Sequence, residues 1–264
     1  MELIYKNAPI YYTEQGKGDV LVLLHGYTET SDVWKDFVSF LSKEFRVVTL
    51  DLPGHGRSGM LGDVHTMELM ADVVKAVLSH LGIEQCAIIG HSMGGYVSLA
   101  FTRKYGQMVK GLGLFHSSSL ADSDEAKFQR ERAIEVIKKN HASFILNFIP
   151  DLFAEDNKAK FQALISELTE DAKKMSPEAL IAAQEGMRQR GSTLDVLINA
   201  SCPVLFVAGQ KDSRVPFENI WVQMALTNIT HALILKNVGH MGHFEAPAET
   251  LHAVHSFVHA VYNL

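Results

Sequence analysis

Three polar residues, Ser92, Asp212 and His240, have the types and the chain order of a nucleophile, a carboxylate and a general base. A serine hydroxyl is a weak nucleophile until a base takes its proton, and that imidazole needs a carboxylate to orient it and to stabilise its charged form. Each of the three lies on a loop after a segment with the apolar composition of a buried strand. Taken singly, each is also explained as an ordinary loop residue. Because the carboxyl ends of parallel strands meet at one edge of a sheet, their joint placement favours acyl transfer.

The segment Gly90-His91-Ser92-Met93-Gly94-Gly95 matches the Gly-x-Ser-x-Gly pattern of a nucleophile elbow. It lies between an apolar run at residues 85–89 and a helical pattern at residues 96–105. Only glycine-sized residues at positions 90 and 94 let such a strand and helix approach closely, and the serine takes a strained backbone conformation that exposes its hydroxyl. The pattern is short and also fits a glycine-rich connecting loop. We therefore assign the three residues jointly. Ser92 is the nucleophile, His240 is the general base and then the general acid, and Asp212 is the carboxylate that orients the imidazole.

Further residues are predicted to stabilise the oxyanion and to line the pocket. The backbone N–H of Met93, directly after the nucleophile, supplies one oxyanion donor, and the N–H of Tyr27, exposed by Gly26, supplies the other. His25 is predicted to shape this loop through structural hydrogen bonds. The candidate pocket residues are Tyr27, His116, Phe144 and Phe148; most phenylalanines of this region, at helical spacing, also fit a packing role.

Other histidines compete for a functional role. His243 lies three residues after His240, but His240 directly follows Gly239, where a flexible backbone lets the loop place the imidazole over the elbow. His252, His255 and His259 share one face of a predicted C-terminal helix, a spacing that metal sites also use. No cysteine lies close to them in the sequence, and they face away from the apolar residues of that helix, so we predict a solvated face and no metal site.

The predicted elements give an α/β fold with a mostly parallel central sheet and helices on both faces. Apolar strands alternate with helices up to residue 116 and again from residue 203, whereas residues 117–200 show helical periodicity alone. We predict a core domain of residues 1–116 and 201–264 and an all-helical cap of residues 117–200 over the carboxyl edge of the sheet. The first cap helix is predicted to begin after Ser123 with Phe128, Ile134 and Ile137 facing inward, and the last to begin at Ser176.

The amino-acid composition argues against several kinds of partner and location. The 264 residues carry a formal net charge of -6 and no cluster of basic residues, which argues against a nucleic-acid partner. No apolar run reaches membrane-spanning length, and the first residues lack the pattern of a signal peptide. The two cysteines, Cys86 and Cys202, lie at the starts of predicted buried strands, where a free thiol behaves as a small apolar group. We expect a cytoplasmic protein without disulfides and without a membrane partner.

The chain resembles the α/β-hydrolase superfamily, and most of all its esterases and carbon–carbon hydrolases with a helical cap. The motifs that carry the resemblance, in family order along nearly the whole chain, are Leu24-His25-Gly26-Tyr27, Asp51-Leu52-Pro53-Gly54-His55-Gly56-Arg57-Ser58, Gly90-His91-Ser92-Met93-Gly94-Gly95, Gly209-Gln210-Lys211-Asp212 and Gly239-His240 with Glu245 and Pro247. It supports His240 over His243, because the catalytic histidine of the family follows a glycine and precedes Glu-x-Pro. Residues 117–200 match only in position and helicity, so the resemblance does not indicate the substrate.

These observations predict a serine hydrolase that cleaves a small to medium, largely apolar carboxylic ester or thioester through an acyl-enzyme. We expect no metal or organic cofactor for this reaction, and the sequence leaves a monomer or a homodimer open. Haloalkane dehalogenases and epoxide hydrolases resemble the chain but have aspartate at the elbow, so Ser92 argues against both. A carbon–carbon bond hydrolase, a cofactor-free perhydrolase and a non-catalytic ligand-binding receptor with the same three residues stay open as alternatives.

Overall fold

An eight-stranded sheet forms the centre of the protein, as seen in a computed structural model that describes residues 1–263. Along the sheet the strand order is β1-β2-β4-β3-β5-β6-β7-β8. The strands are β1 (Glu2–Tyr5), β2 (Ala8–Gln15), β3 (Val20–Leu24), β4 (Arg46–Leu50), β5 (Cys86–His91), β6 (Val109–Phe115), β7 (Val204–Gly209) and β8 (Thr230–Leu235). β1 and β2 pair antiparallel, β2 pairs antiparallel with β4, and the remaining pairs are parallel. The predicted α/β class with a mostly parallel sheet is confirmed.

Helices cover both faces of this sheet. They are α1 (Lys35–Leu41), α2 (Met67–His80), α3 (Met93–Tyr105), α4 (Asp124–Phe148), α5 (Gln162–Ala172), α6 (Pro177–Gln189), α7 (Leu194–Ile198), α8 (Phe217–Met224), α9 (Gly242–Glu245) and α10 (Pro247–Tyr262). Val22 and Leu24 of β3 pack in an apolar cluster with α2 and α3, whereas Leu21 and Leu23 pack in a second cluster with α1 and α10. Alternate residues of one strand thus enter opposite layers, which is why the central strands are apolar throughout.

The segment between β6 and β7 contains α4, α5, α6 and α7, an all-helical insertion as predicted. The hydroxyls of Ser123 and Ser176 accept hydrogen bonds from the N–H groups of Ala126 and Ala179, so both serines cap their helices. Asn140, with φ −162° and ψ 89°, kinks α4. Leu264, the last residue of the predicted core domain, lies outside the described residues.

Two expectations about the insertion are wrong. Phe128 was expected to face inward, but it is 51% exposed and contacts Arg132. A helix turns by about 100° per residue, so Phe128 points away from Ile137, which lies nine residues further along and is buried. The helix that begins after Ser176 is also not the last of the insertion, because the short helix α7 follows it. Three short helices, each of eight residues or fewer, were not predicted from the sequence: α7, α8 and α9.

Membrane-spanning helices and disulfides are absent from residues 1–263. No helix there is both long and apolar enough to cross a bilayer. Cys86 and Cys202 are buried and free. Burial raises the pKa of the Cys86 thiol to about 12, so this side chain acts as an apolar group.

Helix α6 packs closely against two parts of the core, the segment that precedes α2 and the loop that follows β3. The His65 N–H donates to the Ala182 carbonyl at 3.0 Å, and the Tyr27 hydroxyl donates to the Leu180 carbonyl at 3.2 Å. A Cβ atom added to Gly186 would overlap the carbonyl oxygen of His65. The absence of a side chain at position 186 therefore allows the insertion to approach the core.

Gly186→Ala should destabilise the protein by about 1–3 kcal/mol, because backbone atoms must separate to admit the methyl group. Alanine is the better helix former by about 1 kcal/mol, so a loss of stability cannot come from helix propensity. Urea unfolding followed by circular dichroism measures the effect. The matched control is Gly191→Ala, where an added Cβ meets no atom within 4 Å, and it should change stability by less than about 0.5 kcal/mol. Equal stabilities of the two variants would contradict the close approach.

Candidate active site

Ser92 occupies the sharp corner between β5 and α3. Its backbone has φ 51° and ψ −114°, a left-handed conformation that costs a non-glycine residue about 1–3 kcal/mol. The Ser92 N–H donates to the Phe115 carbonyl at 2.9 Å, and its own carbonyl accepts from the Ser117 hydroxyl at 2.7 Å. A Cβ atom on Gly90 would overlap the backbone of Gly94. The strained corner predicted from the glycine spacing is therefore confirmed.

Asp212, on the loop after β7, is a buried carboxylate whose two oxygens both accept hydrogen bonds. One oxygen accepts from the N–H groups of Arg214 at 2.8 Å and Val215 at 2.9 Å. The other accepts from the ring Nδ1 atoms of His240 at 2.8 Å and His116 at 3.0 Å. Burial alone would raise the pKa of Asp212, but the charge of His240 and the two ring hydrogen bonds hold that pKa well below its usual range. Asp212 is thus ionised at neutral pH.

His240 follows β8 and is fixed on both its backbone and its ring. Its N–H donates to the Leu152 carbonyl at 2.7 Å, and its carbonyl accepts from the ring of His91 at 2.9 Å. Because Nδ1 donates to Asp212, Nε2 is left as the proton acceptor of the neutral imidazole. His240 and Ser92 line the same cavity.

Glu245 holds the loop that carries His240. One of its carboxylate oxygens accepts from the Gly239 N–H at 2.9 Å and the Met241 N–H at 3.3 Å. The other accepts from the Ala154 N–H at 3.0 Å and the Asn157 side-chain amide at 2.7 Å. One buried carboxylate therefore links the histidine loop to the helical insertion.

His243 lies apart from Asp212, within a buried cluster behind the elbow. Glu29 accepts from the ring of His91 at 2.9 Å and from the Gly26 N–H at 2.6 Å, and its second oxygen lies 4.0 Å from His243 Nε2. Burial alone would raise the pKa of Glu29, but the charge of His91 and its hydrogen bond lower that pKa to about 2. Burial alone would lower the pKa of His91, but the charge of Glu29 raises it. This ion pair between the elbow and the Tyr27 loop was not predicted from the sequence.

His116, expected in the pocket, does not line the cavity. It is fully buried behind Asp212, with φ 48°, and burial lowers its pKa to about 4. His116 is therefore a neutral donor to Asp212. His25 forms the structural hydrogen bonds that were predicted, contacting the Gly26 carbonyl at 2.7 Å and accepting from the Leu52 N–H at 2.9 Å.

The cavity has a volume of about 300 Å³ and lies between the sheet edge and the insertion. Tyr27, Phe144 and Phe148 line it, with Phe144 stacked on Phe148 at 5.2 Å between ring centroids. Neither the Tyr27 N–H nor the Met93 N–H donates a hydrogen bond within residues 1–263. The remaining lining residues are Ser92, Tyr96, Ala126, Gln129, Arg130, Ala133, Gln184, Met187, Ser213, Arg214, Val215 and His240.

Two of the histidines of α10 have a carboxylate near them in space that is far from them in the sequence. Glu44, after α1, lies 3.3 Å from His255 Nε2 and 2.8 Å from His259 Nε2. His252 is exposed. These polar contacts join α10 to the end of α1 on the surface.

Residues 19–247 match the family profile described as alpha/beta hydrolase fold. The chain belongs to the α/β-hydrolase family. An esterase of this fold from Thermogutta terrifontis superposes with a TM-score of 0.93 and 30% identity, over 99% of this chain and 98% of that one. The expected superfamily membership is thus confirmed.

Two curated relatives extend the comparison. A 2-hydroxy-6-oxo-6-(2'-aminophenyl)hexa-2,4-dienoic acid hydrolase from Metapseudomonas resinovorans is 22% identical over 94% of this α/β hydrolase and 86% of that relative. The acetyltransferase component of an acetoin cleaving system from Pseudomonas putida is 30% identical over 87% of this chain, which spans 60% of that relative's length. The family, the similar esterase and the dienoic acid hydrolase support hydrolase activity.

The buried neutral histidines should make the fold acid-sensitive between pH 7 and 5. Burial lowers the pKa of His55 to about 3 and that of His116 to about 4, and it also lowers the pKa values of His25 and His243. The unfolded chain takes up these protons first as the pH falls below about 6.5. Stability present above pH 6.5 is therefore lost on acidification, by up to about 1.4 kcal/mol per pH unit for each histidine.

Urea unfolding at several pH values measures this slope. The slope gives the number of protons that the protein takes up on unfolding. His55→Gln should reduce that number by about one, whereas the exposed control His252→Gln should leave it unchanged. A free energy of unfolding that stays constant from pH 7 to pH 5 would show that these histidines are not buried in the neutral form.

Proposed function

We propose that the protein is a serine hydrolase that cleaves a small to medium carboxylic ester or thioester through an acyl-enzyme on Ser92. The observation that supports this most directly is that Ser92, strained at its corner, and His240, hydrogen-bonded to the buried Asp212, line one cavity. The similar esterase from Thermogutta terrifontis supports an ester as the substrate class.

In this proposal His240 Nε2 takes the proton of the Ser92 hydroxyl while the serine oxygen attacks the carbonyl carbon. The leaving alcohol or thiol receives that proton, and the acyl group stays on Ser92. Water then attacks the acyl-enzyme with His240 again as base, which releases the acid and restores the hydroxyl. Asp212 stabilises the imidazolium in both steps. The hydrogen bond from His116 Nδ1 holds the Asp212 carboxylate in place.

The oxyanion of each tetrahedral intermediate is proposed to bind the N–H groups of Tyr27 and Met93. Both groups are free of protein acceptors, and Met93 is the first residue of α3, whose N-terminal end favours negative charge. Glu29 supports this role by fixing Gly26 in the loop before Tyr27.

Residues 117–200 are proposed to act as the cap that selects the substrate. Phe144 and Phe148 of α4 and Gln184 and Met187 of α6 line the cavity together with Ser92 and His240. Phe153 and Phe161 instead contact each other at 5.8 Å between ring centroids, so they support packing of the insertion.

A carbon–carbon bond hydrolase with the same three residues is the second candidate. The similarity to the dienoic acid hydrolase of Metapseudomonas resinovorans favours it. It requires the same nucleophile and base, so the two candidates differ in substrate and not in the site.

Ser92→Ala should reduce turnover of short-chain p-nitrophenyl esters by a factor of about 10³ or more, because it removes the hydroxyl on which the proposed acyl-enzyme forms. The measurement is steady-state kcat/KM, with circular dichroism to show that the variant is folded. The matched control, Ser79→Ala on the exposed face of α2, should keep full activity. Equal turnover by wild type and Ser92→Ala would refute the proposed nucleophile.

A further inference from the structure

Two guanidinium groups, those of Arg130 and Arg214, line the cavity that contains Ser92 and His240. Arg130 lies on α4, and Arg214 lies two residues after Asp212. No aspartate or glutamate among the described residues lines this cavity. The charge that faces a bound molecule is therefore positive.

Arg130 is only partly neutralised by the protein. Its Nε donates to Asp122, and its Nη1 donates to the Gln184 side chain at 3.0 Å. Asp122 is shared, because the buried Arg190 contacts its other oxygen at 2.7 Å and lies 3.9 Å above the ring of Tyr96. Two guanidinium groups thus divide one carboxylate, which leaves positive charge beside the cavity.

Arg214 is also weakly paired. Its guanidinium lies 4.6 Å from the ring centroid of Phe148, and the nearest carboxylate oxygen, on Asp151, is 3.7 Å away. The Asp151 side chain is 60% exposed, so water screens this pair. Desolvation lowers the pKa of Arg214, and the charges of Asp151 and Asp212 offset this only in part. The positive charge of Arg130 also lowers this pKa, so the two cations that line the cavity repel each other.

An anion bound between these groups would relieve that repulsion and accept charge-assisted hydrogen bonds from both. Guanidinium groups match carboxylates well, because their planar donors pair with two carboxylate oxygens at once. An apolar ester would instead leave both cations only partly compensated beside an apolar ligand, which is unfavourable. The stacked Phe144 and Phe148 still provide an apolar surface between the polar ends of such a substrate.

We propose that Arg130 and Arg214 form a carboxylate-binding subsite, so that the substrate is an ester with a free carboxylate at a distance from the scissile bond, such as a half-ester of a dicarboxylic acid. This inference rests on the proposed serine hydrolase and replaces the largely apolar ester expected from the sequence. The reaction itself is unchanged, and the arginines bind a part of the substrate that does not react.

The test compares mono-p-nitrophenyl glutarate, which carries a free carboxylate, with its neutral counterpart, methyl p-nitrophenyl glutarate. The two have the same leaving group and acyl chain, so their kcat/KM ratio isolates the effect of the carboxylate. Wild type should favour the acid by about tenfold to a hundredfold, as expected for one or two charge-assisted hydrogen bonds. A ratio of one or below in wild type would overturn the proposal.

Arginine variants locate the effect. Arg130→Gln and Arg214→Gln should each reduce the acid-to-neutral ratio by about tenfold, mainly through KM for the acid. Arg132→Gln, two residues along α4 on its exposed face, removes the same charge and should keep the wild-type ratio. Arg214 is partly exposed, so its variant tests the proposal even if loss of the Arg130–Asp122 contact prevents folding. A ratio that is the same in Arg214→Gln and Arg132→Gln would refute the subsite.

The same assay separates the two proposals. If Ser92→Ala hydrolyses neither ester and wild type prefers the neutral one, the serine hydrolase stands and the carboxylate subsite falls. If Ser92→Ala hydrolyses both esters as well as wild type does, the serine mechanism itself is wrong.

Discussion

The strained backbone of Ser92 is the constraint on which the site depends. A left-handed residue at the end of β5 persists only where its surroundings determine it more strongly than its own preference. Here the surroundings are Gly90 and Gly94, which allow β5 and α3 to approach, and the hydrogen bonds between Ser92 and the end of β6. The parallel order of β5, β6 and β7 brings His116 and Asp212 to the same edge of the sheet.

Buried charge fixes the loops around this corner. The ion pair of Glu29 with His91 joins the elbow to the loop that carries Tyr27, and His91 also contacts the carbonyl of His240. Glu245 fixes the histidine loop from the other side through backbone N–H groups. Removal of one partner of such a buried pair leaves an uncompensated charge, which is costly, so these contacts select one arrangement of the loops. The loops are thereby held in place before a substrate binds, which is what oriented catalytic groups require.

The local features of the fold could be predicted because they depend on residues that are close in sequence. Glycine spacing around Ser92 indicates the elbow, Ser123 and Ser176 indicate helix starts, and runs of apolar residues indicate buried strands. The prediction for Phe128 was wrong for an equally local reason, since at about 100° per residue Phe128 and Ile137 lie on opposite sides of α4 and cannot both face inward.

Contacts between distant residues could not be predicted from one sequence. Glu29 and His91 are 62 residues apart, and His116 and Asp212 are 96 apart, so no local pattern connects them. The same holds for Arg130 and Arg214, whose shared cavity exists only when α4 lies over the loop after β7. The insertion that contains Arg130 carries none of the family motifs, so its contribution to the cavity is visible only in the structure.

The most direct test of the account is the reaction of the folded protein with a fluorophosphonate, located by mass spectrometry of its peptides. Such a probe reacts with a serine that a neighbouring base has activated, and it requires no knowledge of the natural substrate. The account predicts about one equivalent of adduct, on Ser92, and none in a His240→Gln variant. A folded protein that forms no adduct at Ser92 would contradict the account and would favour a protein that binds ligands without turning them over.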